Sequence, residues 1–204
     1  AYDKDGNAGE LEYDEENVIN FETEWTITED NQIVYFTVWG VYDLYIDYGD
    51  GIKENVKGKQ SNYTTTKLQH TYEKPGTFIA KMSGKCYEMS IYNENHITGI
   101  KKWGCLENNQ YYFYQSKNIT GTIPIPNEKN FRTITSFSDT FNGCRKLEGN
   151  IPEDFFKNCQ NVTSFRSTFS GCIGLTGNIP ERLFEDCSVA KYFDNTFSSC
   201  TGLT

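Results

Sequence analysis

The apolar and polar positions of this chain change rhythm along its length. From Ile19 they alternate, with Ile19, Phe21, Thr23, Trp25 and Ile27 on one side and Asn20, Glu22 and Glu24 on the other. A period of two predicts a strand with one buried face. Residues 33–39 and 41–48 are rich in β-branched and aromatic types and predict two more strands, with Gly40 as the break between them. Residues 63–72, 77–82 and 86–92 complete the set. Turns are predicted at Glu29-Asp30-Asn31, at Asp47-Tyr48-Gly49-Asp50-Gly51, at Pro75-Gly76 and at Ser83-Gly84. In the second of these the glycines supply positive φ and the aspartates accept local N–H bonds. Short strands at regular spacing predict a β-sandwich.

From Ile134 a long repeat takes over. Ile134-Thr135-Ser136-Phe137, Thr140-Phe141, Cys144, Leu147, Gly149, Ile151-Pro152, Phe156 and Cys159 form one copy. Val162-Thr163-Ser164-Phe165, Thr168-Phe169, Cys172, Leu175, Gly177, Ile179-Pro180, Phe184 and Cys187 form the next. A third runs through Phe193, Thr196-Phe197, Cys200 and Leu203, and Cys144, Cys172 and Cys200 recur every 28 residues. A fixed period of this size predicts a solenoid, in which each unit buries its apolar face only against its neighbours. The predicted core columns are Phe141, Phe169 and Phe197, then Cys144, Cys172 and Cys200, then Leu147, Leu175 and Leu203. Coils about 4.8 Å apart would put like on like. Thr140, Thr168 and Thr196 read as satisfying turn backbone or as a hydroxyl ladder; the functional alternative is a row of ligand-binding hydroxyls.

Upstream the repeat is imperfect. Ile119-Thr120-Gly121-Thr122-Ile123-Pro124 fits it, Phe113 aligns with Phe141, and Ser116 takes the cysteine place. Residues 97–104 read as an atypical first unit, with Trp103 placed to seal the stack against the sandwich.

Composition narrows the function classes. The chain has 204 residues, room for two modest domains, and a formal net charge of −9. Such a charge argues against nucleic acid as a partner. No run of about 20 apolar residues exists to insert in a membrane, and no signal peptide is visible. Residues 1–16 read as an acidic leader. Asp3, Asp5 and Asn7 are spaced like the first ligands of a calcium loop, but the glycine falls one place late at Gly9 and the twelfth position is Asp14 rather than Glu. Of seven cysteines, five sit in repeat columns, and Cys86 and Cys105 stand outside. The period accounts for the columns as small buried apolar groups, which favours thiols over a disulfide framework. No C-x-x-C appears, so zinc is not indicated.

Two stretches carry family resemblances. Val34-Tyr35-Phe36-Thr37-Val38, Ile46-Asp47-Tyr48-Gly49-Asp50-Gly51, His70-Thr71-Tyr72 and Pro75-Gly76-Thr77-Phe78 resemble a PKD (polycystic kidney disease) domain. That family is an Ig-like sandwich with a WGDG-type turn and a later H-x-Y…G-T-Y segment. Here Tyr48 replaces the tryptophan and Phe78 the last tyrosine. The resemblance covers 17–93 and implies a non-catalytic extracellular spacer or interaction module. The F-x-x-C-x-x-L core and the entry Ile97-Thr98-Gly99-Ile100-Lys101-Lys102-Trp103-Gly104 resemble BspA-like leucine-rich repeats of bacterial surface proteins, over 94–204. The unit here is longer than the common form. The fold expected is therefore mainly β: an Ig-like or PKD-like sandwich followed by a leucine-rich-repeat solenoid with 28-residue units.

No catalytic set stands out. His70 and His96 are far apart, His70 reads as bonding a strand or turn, and Asp47 with Asp50 reads as turn structure. No phosphate loop, metal or cofactor is indicated. Binding surfaces are the better candidates. Ser138-Asp139, Arg166-Ser167 and Asp194-Asn195 differ between units while the columns stay fixed. Tyr111, Tyr112 and Tyr114 form a second patch, unless they pack at the junction of the two parts. The expectation is a non-catalytic adhesion or binding protein, extracellular or at the cell surface, whose partner is a host or matrix protein or a glycan. Alternatives are the binding module of a larger secreted hydrolase or phage fibre, and a surface-layer spacer. Because Leu203-Thr204 falls mid-unit, further repeats or a cap are expected to follow. N-x-T sequons at Asn62, Asn118 and Asn161 matter in a eukaryotic source.

Overall fold

Among the described residues the first part of the chain forms seven strands, and the long repeat forms stacked coils. A computed structural model describes residues 21–59, 65–92, 94–104, 110–126 and 131–204, with backbone alone at 110–112. The leader with its aspartates, Ile19, Asn62 and Cys105 lie outside them. The described residues are mainly β and contain no helix. The strands are β1 (Phe21–Ile27), β2 (Gln32–Asp47), β3 (Lys53–Lys59), β4 (Thr65–Tyr72), β5 (Gly76–Ser90), β6 (Ile97–Lys102) and β7 (Gln110–Tyr112). They form one sheet in the order β3-β2-β5-β1-β6. β4 pairs with the first half of β2, and every pairing is antiparallel except that of β7 with the end of β5.

Two long strands hold the sheet together, and both differ from the sequence expectation. Gly40 and Gly84, read as a break and a turn, lie inside continuous strands. Both have positive φ, 66° and 113°. The β2–β5 register slips between Trp39 and Tyr42, beside Gly40. A Cβ on Gly84 would sit 2.2 Å from the Asp43 carbonyl oxygen. Glycine inside a strand marks a bulge or a close backbone approach as readily as a turn. The first half of β5 therefore serves β1 and its second half serves β2. β3 was not foreseen, because its sequence KENVKGK has no apolar period. It lies at the edge, with Lys57 bonded to Asp43 at 2.8 Å and Lys53 to Asp47 at 3.0 Å, directly across from it. Lysine at an edge also discourages pairing with another chain.

The sheet's core is aromatic. Trp25 meets Phe36 at 4.8 Å, Phe36 meets Tyr48 at 6.0 Å, and Tyr72 stacks on Phe78 at 4.4 Å. The turn after β2 is closed by its own side chains, Gly49 N–H donating to Asp47 Oδ1 at 2.9 Å and Ile52 N–H to Asp50 Oδ1 at 3.0 Å. His70 Nε2 bonds Asp50 Oδ2 at 2.8 Å while its ring lies flat on Tyr48 at 3.7 Å.

From Phe113 the chain winds in stacked coils made of tight turns. Thr140 N–H donates to Phe137 O, Cys144 N–H to Phe141 O and Leu147 N–H to Cys144 O, and the same set recurs one coil later. Between coils the bonds are as regular: Phe113 N to Thr140 O, Phe141 N to Thr168 O and Phe169 N to Thr196 O, at 2.7–2.9 Å. Like side chains therefore meet. Phe113, Phe141, Phe169 and Phe197 stack with centroids 5.8, 5.5 and 5.7 Å apart and planes within 9° of parallel. Phe137, Phe165 and Phe193 form a second column at 5.9 and 5.5 Å. Burying each ring contributes about 1.5–3 kcal/mol, gained only when a neighbour is present.

The columns expected to hold polar groups do so without exposing them. Thr168 and Thr196 are buried, and each hydroxyl lies within 3.0 Å of two carbonyls, Phe137 and Phe165 for the first, Phe165 and Phe193 for the second. They satisfy turn backbone and present nothing to a ligand. Cys144, Cys172 and Cys200 are buried free thiols donating to Phe113, Phe141 and Phe169 carbonyls at 3.2, 3.0 and 2.9 Å. Ser116, in the cysteine place, instead donates to Ile91 O at 2.7 Å and ties the first coil to the end of the sheet.

The two halves share a strand. β6, read from sequence as the first repeat, pairs with β1 through Trp25↔Ile97 and Glu22↔Lys102. Its Thr98 carbonyl also accepts the Thr120 N–H of the next coil at 2.9 Å.

Candidate functional site

A cleft opens where the outer face of the sheet meets the first coils. In β2 the residues facing inward are Val34, Phe36 and Val38, which leaves Trp39 to point the other way. Directly across the β2–β5 pairing from Trp39 stands Glu88, and from Thr37 stands Ser90. Facing residues of an antiparallel pair share a side of the sheet, with Cβ atoms about 4.5–5.5 Å apart. Just past β5, Tyr92 is 61% exposed and stacks on Tyr114 of the first coil, centroids 5.4 Å apart and planes 9° apart. Asp139 closes the far side from the following coil, which is tied to the first by Phe113 N–H to Thr140 O. Trp39, Glu88, Ser90, Tyr92, Tyr114 and Asp139 line a cavity of about 350 Å³. Partial burial pushes the Glu88 carboxyl above its ordinary value. Asp139 Oδ1 accepts an N–H of Asn142 at 2.7 Å.

The expected site residues fall into three groups. Tyr114 and Asp139 come together in this cleft. Tyr111 and Tyr112 lie in β7 beside Met89 and Ser90. The others lie on a lateral face of the coils. Arg166 there pairs with Asp194 at 3.2 Å and lies 5.8 Å from the centre of the Tyr192 ring, all three well exposed. Ser138 Oγ bonds Ser164 Oγ at 2.6 Å. Asp139, Ser167 and Asn195 share a conformation, with φ of 58°, 53° and 58°. Asp and Asn favour that left-handed region, so backbone geometry limits the choice of residue at this column. Ser138, Arg166 and Asp194, one place earlier, differ from coil to coil. Trp39, Glu88, Ser90 and Tyr92 were not foreseen. The one signal in the sequence is a tryptophan on the outward phase of an amphipathic strand.

Elsewhere the cations and histidines of the polar clusters pair with nearby carboxylates. A cavity of about 300 Å³ between adjacent coils holds Glu153, Asp154, Lys157, Arg182, Glu185 and Asp186. Its cations pair within it, Lys157 with Asp154 at 3.3 Å and Arg182 with Glu185 at 2.8 Å. His96 Nδ1 bonds Glu94 Oε1 at 2.6 Å, and His70 is held by Asp50. Among the described residues no group of three or more His, Cys, Asp or Glu side chains could hold a metal ion. No helix of the described residues is long and apolar enough to cross a membrane. Compared with known proteins, the chain matches no family model, no curated protein and no solved structure.

Proposed function

We propose that this chain is a non-catalytic binding protein that works outside the cell or on its surface, engaging a host or matrix protein or a glycan. In this reading its first half is an Ig-like, PKD-like sandwich that serves as a platform. Its second half is a BspA-like leucine-rich-repeat solenoid that presents the contact surface. One observation carries the reading: the repeated columns are consumed by packing while the outward positions change from coil to coil. Phe141, Cys144, Phe169 and Cys172 are fully buried, as are the threonine hydroxyls beside them. Ser138, Arg166 and Asp194 occupy equivalent outward places with different charge. A scaffold that fixes its interior and varies its exterior suits recognition. The net charge of −9 favours neutral or basic partners over nucleic acid.

The test is a binding screen of the purified chain against immobilised extracellular-matrix proteins and a glycan array. Saturable binding to at least one member is expected, weakened by Arg166→Glu if the lateral face makes the contact. A chain that is folded by circular dichroism and binds nothing on either panel would contradict the proposal.

A further inference from the structure

We infer that the cleft at the seam between sheet and coils is a saccharide site that takes one ring of a neutral glycan. The inference rests on the binding reading above and narrows it to a place and a chemical class.

Shape and chemistry agree. At about 350 Å³ the cleft falls at the small end of ligand pockets, roughly 300–1,000 Å³. Trp39, Tyr92 and Tyr114 supply flat apolar surface, and Glu88, Asp139 and Ser90 supply oxygens. A pyranose has a matching division, with C–H bonds on its faces and hydroxyls at its rim. The aromatic faces take the former by dispersion and by attraction of the polarised C–H groups to the π-cloud. Carboxylates accept hydrogen bonds from the hydroxyls, and bonds to a charged acceptor are the stronger kind.

Charge excludes the acidic sugars. Among the described lining residues there is no lysine or arginine, two carboxylates are present, and the whole chain carries −9. A sialyl, sulfated or phosphorylated group would meet repulsion from Glu88 and Asp139, with no cation among the described lining residues to offset it. A quaternary ammonium is disfavoured by the ring geometry. Tyr92 and Tyr114 lie 9° from parallel and cover one face of each other. A cation cage needs aromatic faces turned inward from several sides.

The site also draws on both parts of the molecule. Trp39, Glu88, Ser90 and Tyr92 come from the sheet and its exit, and Tyr114 and Asp139 from two successive coils.

The chain carries its own reporter. Of its three tryptophans, Trp25 is 0% and Trp103 1% exposed, and Trp39 lines the cleft. The experiment titrates the full chain with neutral tetrasaccharides of glucose, N-acetylglucosamine, mannose and galactose, with choline in parallel, and follows tryptophan emission and heat of binding. One saccharide series is expected to give a saturable emission change with a matching heat. Tyr114→Ala and Glu88→Gln should each weaken it tenfold or more, and Lys74→Ala, on a remote turn, should leave it unchanged. Trp39→Phe should abolish the emission change while retaining measurable heat. If a saccharide binds with unchanged affinity to Tyr114→Ala and Glu88→Gln, the seam assignment falls and the wider binding reading stands. If only choline responds, or no saccharide does, the inference is overturned. If the matrix and glycan panels are also empty, both readings fail.

Discussion

The Trp103 indole N–H donates to the carbonyl of Pro124 at 2.8 Å, reaching 21 residues ahead from the end of β6. Its ring lies within about 6 Å of Phe21 in the sheet and of Phe113, Phe131 and Phe155 in the coils. One side chain thus packs against the first strand and several coils at once. Trp103→Ala should cost about 3–5 kcal/mol, the range for emptying a fully buried large aromatic. Trp103→Phe keeps a ring but leaves the Pro124 carbonyl without this donor, and should cost less, about 1–3 kcal/mol. Urea unfolding of the three proteins checks the order; equal stability of Trp103→Ala and wild type would contradict the packing.

Thr168 isolates the value of a buried hydroxyl. Its Oγ1 lies 3.0 Å from Phe137 O and 2.7 Å from Phe165 O. Both carbonyls also accept backbone N–H groups, from Thr140 and Thr168. Thr168→Val removes the side-chain bonds without stranding an acceptor, so a loss near 1 kcal/mol is expected. A loss several times larger in denaturant titration would mean that the hydroxyl does more than serve these turns.

Gly84 and Gly121 both have positive φ but differ in surroundings. Nothing lies within 4 Å of a Cβ built on Gly121, whereas one on Gly84 meets the Asp43 carbonyl oxygen at 2.2 Å. Gly121→Ala should cost about 1–2 kcal/mol, the left-handed penalty alone. Gly84→Ala carries that penalty and must also push β5 away from β2, so its loss should be clearly the larger. Thermal melts of the two variants decide it.

The thiols should be inert while the protein is folded. Burial pushes Cys86 and Cys187 up to about 12 and raises Cys144, Cys159, Cys172 and Cys200 as well. At pH 8 a thiol with a pKa of 12 is thiolate about one part in ten thousand, and the thiolate is the nucleophile. Iodoacetamide followed by peptide mass analysis should find these six unmodified in the native chain and all modified in denaturant. Rapid native labelling of Cys172 would show that the coils open.

Glu88 should make stability fall as pH rises. Its folded-state carboxyl is raised above the ordinary 4.5 by burial. The native state therefore holds this proton in a window above 4.5 where the unfolded chain has released it. Stability is fuller below that window and declines through it. Glu88→Gln removes the decline, so its advantage over wild type should grow from pH 4 to neutrality. An advantage that shrinks over this range would have the wrong sign.

How much of this was legible in the sequence depended on what each element repeats. The coils were readable because Phe141, Phe169 and Phe197 must occupy equivalent places to stack, and that necessity imprints a period. β1 was readable because one face is buried, as the alternation through Phe21, Trp25 and Ile27 shows. β3 was not, since an edge strand with exposed lysines has no buried face to pattern it. Gly84 misled because the same residue serves a turn and a close strand contact, and only the neighbouring backbone of Asp43 tells them apart. The cleft was half visible. Tyr114 and Asp139 stood out beside and within the repeat, but Trp39 and Glu88 become neighbours only through a β2–β5 pairing that no period announces.

β6 is bonded along one edge to β1, and its Thr98 carbonyl holds the first coil. A load on the first coil therefore has a direct path into the sheet through this strand. Anything gripped beside Tyr92 and Tyr114 would sit between two walls joined at their base, by β6 and by the Ser116–Ile91 bond.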